Sequence, residues 1–140
     1  AWAHQLRGEE DDAAQAFLGA LAQLDSVLQE LPDDWPVHAS RGLALAGLGR
    51  VGEARLEADW LRRSWVYRDT DSGPTLAEVR AMIFAQTGSV EDAIAELEPL
   101  LEGPSWTSAA MVRLDPRYDP IRDDPRFRAL LEESGDDGEH

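Results

Sequence analysis

The chain has 140 residues, 43% of them hydrophobic, which suits one globular domain with a real core rather than two. Its 28 acidic and 13 basic residues leave a net charge of −15, which disfavours nucleic-acid phosphates and anionic membranes and makes any charge-steered partner basic. There is no cysteine, which excludes disulfides, thiolate metal sites and a cysteine nucleophile.

Helical signals dominate from the N-terminal end. Phe17, Leu21, Leu24, Leu28 and Leu31 recur at steps of four and three, an apolar stripe on one helix face. The pattern predicts a helix from about Asp12 to Leu31, with Asp11 or Asp12 as its cap and Pro32 as its stop. Gly8 is expected to mark an earlier turn, with Ala13 in the matching place after it. Only "AWAHQLR" precedes that glycine, so the chain is expected to begin inside a repeat, on a protein that continues upstream.

The next two segments repeat one another. "RGLALAGLGRVGEARLEADWL" (Arg41–Leu61) superposes on "RAMIFAQTGSVEDAIAELEPL" (Arg80–Leu100) at a shift of 39, with identities at Arg41/Arg80, Ala46/Ala85, Gly49/Gly88, Val51/Val90, Ala54/Ala93, Glu57/Glu96 and Leu61/Leu100. Gly49 and Gly88 sit where one helix stops and the next begins, a left-handed position that glycine fills without strain. Ala54 and Ala93 are small where two antiparallel helices touch, with Gly42 and Ala81 as their partners. The units are expected at 35–68 and 74–103, after a partial first repeat with a long helix at 1–34. Trp60, Trp65 and Trp106 fall at packing positions, and Trp35 precedes a proline as a packing staple.

"LDPRYDPIRDDPRFRALL" (Leu114–Leu131) contains three Asp-Pro steps. Aspartate caps helices and proline suits their first position, so each step reads as a helix or turn starter. Tyr118, Ile121, Phe127, Leu130 and Leu131 are its apolar anchors. Residues 104–133 are expected to cover the last repeat as a lid, followed by a disordered acidic tail at 134–140.

The glycine and alanine pattern from about Trp35 to Glu102 resembles the tetratricopeptide repeat, although the spacing exceeds that family's usual 34 residues by the insertion "YRDTDSG". The ending resembles the C-terminal tetratricopeptide regions of bacterial adenylate cyclases, serine/threonine kinases and winged-helix regulators. The matching residues are Pro104-Ser105, Leu114-Asp115-Pro116, Arg122-Asp123, Pro125-Arg126-Phe127 and Leu130-Leu131. The resemblance implies an all-α fold, a short right-handed superhelical solenoid of antiparallel helix pairs with a C-terminal capping segment. It also implies a concave groove lined by Ala39, Leu43, Ala46 and Gly47 from one unit and Glu78, Met82, Ala85 and Gln86 from the other. Chaperone-adaptor members grip a terminal carboxylate with lysine and asparagine; this chain has neither.

Chemistry has little support in the pattern. No Gly-x-Ser-x-Gly occurs, and His4, His38 and His140 are scattered. "DTDSG" (Asp69–Gly73) looks like the start of a calcium loop, but counting from Asp69 the twelfth position is Arg80, and the glycine comes one place early. The expectation is a protein–protein interaction or scaffold module with no catalytic, cofactor or metal residues, belonging to the regulatory or assembly end of a larger bacterial signalling or transcription protein. Its partner would be a protein or peptide, basic if steered by charge; upstream repeats or self-association are further partners, and nucleic acid and membrane are not. The runner-up is a peptide or small-ligand sensor using the groove; a carboxylate-based hydrolase comes third. Arginine as the sole basic residue apart from histidine, with asparagine absent, reads as high-GC coding and a bacterial source, and the lack of a leader or apolar span as a cytoplasmic protein.

Overall fold

The computed structural model describes residues 2–102 and 107–138, with side chains for 8–102 and 107–134. Among them every regular element is helical: α1 (Trp2–Glu30), α2 (Trp35–Gly47), α3 (Val51–Arg63), α4 (Gly73–Gln86), α5 (Val90–Glu102), α6 (Ala109–Leu114) and α7 (Pro125–Gly138), with 3-10 helices at Trp65–Arg68 and Pro116–Ile121. None is long and apolar enough to cross a membrane.

The first helix departs from expectation. It runs unbroken through Gly8, Asp11 and Asp12, so neither the turn at Gly8 nor the aspartate cap is formed. Continuing the helix adds a hydrogen bond per residue, against a glycine cost of about 1 kcal/mol. Leu21 is buried against the core, with Phe17, Leu24 and Leu28 half-buried, whereas Leu31 has left the stripe and is exposed.

The two hairpins are built alike. Gly49 and Gly88 have φ of 77° and 79°. Around the first, Gly49 N–H donates to the Ala46 carbonyl (3.0 Å) and Arg50 N–H to that of Leu45 (2.9 Å). Around the second, Gly88 donates to Ala85 (3.2 Å) and Ser89 to Phe84 (2.8 Å). This glycine-closed helix end satisfies carbonyls that would otherwise lack partners. Ala54 and Ala93 are fully buried, as the contact positions require. Gly42 lies at the contact with both neighbours: a Cβ there would lie 3.1 Å from Glu57 Cβ of α3 and 2.6 Å from Ile83 Cδ1 of α4, so its absence lets both helices approach α2. α4 packs against α2, α3 and α5, and the 3-10 helix Pro116–Ile121 covers it further.

The C-terminal segment is held by its own caps. Ser108 Oγ accepts from Met111 N–H (3.2 Å), Asp115 Oδ1 from Arg117 N–H (2.9 Å) and Asp124 Oδ1 from Arg126 N–H (2.9 Å). Two of the three Asp-Pro steps therefore open helices. The third does not, because Pro120 lies inside the 3-10 helix and Asp119 pairs with Arg122 at 2.7 Å. Val112, Tyr118, Ile121, Phe127, Leu130 and Leu131 are all buried, with the Tyr118 and Phe127 rings 5.9 Å apart. α7 lies on α5 and α6 and stays helical to Gly138, where a disordered tail was expected from 134; His140 lies outside the described residues. The Pro104-Ser105 step and Trp106 also lie outside them.

Candidate interaction surface

The expected concave groove is filled from within the chain. Ala39, Ala46, Met82 and Ala85 are buried, Met82 to 3% exposure and Ala85 to none. Leu43, Glu78 and Gln86 are half-buried. Gly47 is exposed, yet a Cβ there would lie 2.6 Å from the Phe17 ring of α1. On the α4 side the capping segment lies across the helix, and Thr107 Oγ1 donates to Glu78 Oε2 at 3.0 Å. The eight residues therefore do not form an open binding face. α1 packs on α2 and the capping segment on α4, where the resemblance implied an open groove.

Within each hairpin a buried carboxylate is held by arginine. Arg41 Nη1 donates to Glu57 Oε1 (2.8 Å), and the equivalent Arg80 Nε donates to Glu96 Oε1 (2.7 Å). Each pair is equidistant from its turn glycine, as antiparallel helices require. The second oxygen of each carboxylate meets a ring. His38 Nδ1 lies 2.6 Å from Glu57 Oε2, and Tyr67 O–H donates to Glu96 Oε2 at 2.8 Å. Burial and the Glu96 carboxylate raise the Tyr67 pKa, so that hydroxyl stays a donor. Both arginines also reach the preceding helix: Arg41 Nε donates to Asp25 Oδ1 (2.8 Å), and Arg80 Nη1 to the Ala58 carbonyl. These groups tie the stack together, with every buried charge compensated.

The open surface lies where the repeats are joined. A cleft of about 600 Å³ is lined by Asp33 from the α1–α2 connection, Trp60 and Arg63 of α3, Ser64, and Trp65. A shallower hollow formed by Glu30, Leu31, Pro32, Asp33 and Asp34 adjoins it through Asp33. Trp60 is pinned from behind: the His38 ring stacks on it with centroids 3.7 Å apart, and His38 Nε2–H donates to the Pro32 carbonyl at 2.7 Å. Trp65 is 78% exposed. The packing role expected of it belongs instead to its neighbour Val66, which is buried and whose N–H donates to Ser64 Oγ. Within so tight a helix, burying Val66 turns Trp65 outward. No helical period announces this, because the segment is a single turn between α3 and α4.

No family model matches the chain, and comparisons with curated proteins and with solved structures found no match either.

The isolated "DTDSG" segment forms a turn into α4, with Gly73 N–H donating to the Asp69 carbonyl at 2.9 Å. Among the described residues no group of three or more His, Asp or Glu side chains is placed to hold a metal ion.

Proposed function

We propose that the chain is a protein–protein interaction module: a short right-handed solenoid of tetratricopeptide-like hairpins closed by a C-terminal lid. We further propose that it serves as the regulatory or assembly part of a larger bacterial signalling or transcription protein. The observation that carries the reading is the duplicated hairpin, in which the same arginine, glutamate and turn glycine recur at a shift of 39 and make the same contacts. Stacked units of this kind present extended surfaces to other chains. The Leu-Asp-Pro ending, with its buried Phe127, supports the resemblance to the signalling proteins. The buried carboxylates, each matched to an arginine, speak for structure rather than hydrolysis.

A tiled array of short peptides probed with the purified protein should yield saturable binders, and a thermal-shift screen of small metabolites should yield none. Metabolite hits without peptide binders would replace this reading with that of a small-ligand sensor.

A further inference from the structure

The cleft between the repeats combines two kinds of chemistry. Trp60 and Trp65 offer indole faces, one clamped by His38 and one open to water. Asp33 on the rim, with Glu30 and Asp34 in the adjoining hollow, adds three carboxylates with no side-chain hydrogen bond or ion pair among the described residues. Arg63 is the single cation among these lining residues. The local charge is therefore negative, on a chain that is −15 overall.

Indole faces attract cations through the ring quadrupole, and carboxylates attract guanidinium groups through paired hydrogen bonds. A guanidinium uses both at once, because it is planar, weakly hydrated and carries its donors in a fixed fork; an ammonium stacks less well and holds its water more tightly. The volume of about 600 Å³ exceeds one side chain and leaves room for neighbouring backbone. We propose that this cleft binds an arginine side chain presented by a basic, extended segment of a partner protein. The guanidinium stacks on an indole and donates to Asp33, while the unpaired carboxylates of the hollow meet further basic residues of the segment. Arg63 turns to solvent or to a carbonyl of the bound backbone. The inference rests on the interaction-module reading and names the class of partner.

The test uses the full chain and the indole N–H signals of its five tryptophans in a nitrogen–proton correlation spectrum. The Trp65 signal is assigned by its loss in Trp65→Phe, and that of Trp60 by Trp60→Phe. An Arg-Gly-Arg-Gly-Arg peptide, at physiological salt, should shift both signals saturably. The lysine counterpart should bind more weakly, and an aspartate counterpart should shift neither. Trp65→Ala and Asp33→Asn, both outside the core, should each weaken the arginine peptide by about tenfold. If the arginine peptide leaves both signals in place, or binds these variants as tightly as the parent, the cleft is not its site. The module reading then still stands on the peptide array. Choline chloride shifting the same signals at lower concentration than the peptide would make this a small-cation site and overturn the partner-segment proposal.

Discussion

The α2–α3 and α4–α5 hairpins share their turn glycine, their contact alanine and their Arg–Glu pair, yet they occupy different environments. In α4 every residue from Arg80 to Ala85 is buried, because α2, α3, α5 and the lid surround it. In α2 the equivalent arginine side chain is 22% exposed, against 10% for that of Arg80. The third group on each glutamate also differs: the first hairpin draws His38 from its own helix, the second draws Tyr67 from the connection before it. One local motif is thus a core element in one place and nearer the edge in the other. The covering elements decide how much each shared residue contributes.

That contrast can be broken most directly at the arginines. Arg80→Ala leaves Glu96 buried with only Tyr67, and should destabilise by about 3–5 kcal/mol. Arg41→Ala should cost clearly less, since water reaches its site; equal denaturant midpoints for the two variants would erase the distinction. Phe127→Ala probes the lid through its contact with Tyr118, on the 3-10 helix that covers α4. The side chain is fully buried, so its loss should cost about 3–5 kcal/mol and expose the α4 face, measured as faster amide exchange at Met82 and Ala85.

Overpacking gives a smaller and more even effect. Ala54→Leu and Ala93→Leu should each cost about 1–3 kcal/mol by equilibrium unfolding, because both alanines are fully buried between their helices. A marked inequality would show that the two hairpins differ internally and not only in what covers them.

The smallest effect concerns pH. The Arg117 hydrogen bond holds the Asp115 carboxyl below its ordinary 3.8, so its stabilising contribution is present above that value and fades as pH falls through the lower folded value. The neighbouring cap Asp124 is lowered in the same sense by Arg126. Acid should therefore weaken the caps that hold the lid. Asp115→Asn should flatten the dependence of thermal stability on pH below about 4. An unchanged pH profile in Asp115→Asn would contradict this linkage.

The parts legible in the sequence were those fixed by short-range chemistry. Gly49 and Gly88 are followed by matched alanines, and Asp115 and Asp124 precede prolines; each combination prescribes its local geometry and was found where expected. The failures lie where distant segments decide. Gly8 has the same residue type as the turn glycines, yet it lies inside a continuous helix. Met82 and Ala85 were expected on an open face, but the lid's place over α4 is a long-range contact that no spacing within α4 encodes. Trp65 is exposed because Val66 is buried, a choice between adjacent apolar residues that composition does not make.

The Arg80 guanidinium reaches the preceding hairpin through the main-chain carbonyl of Ala58 rather than through a side chain. Every residue type carries that carbonyl, so the joint places no demand on the chemistry of residue 58 beyond its size. Arg41 makes the corresponding joint through the Asp25 side chain, so only the second joint is free of that demand. The residues facing water around that joint are thereby free to vary while the contact between the two hairpins is kept.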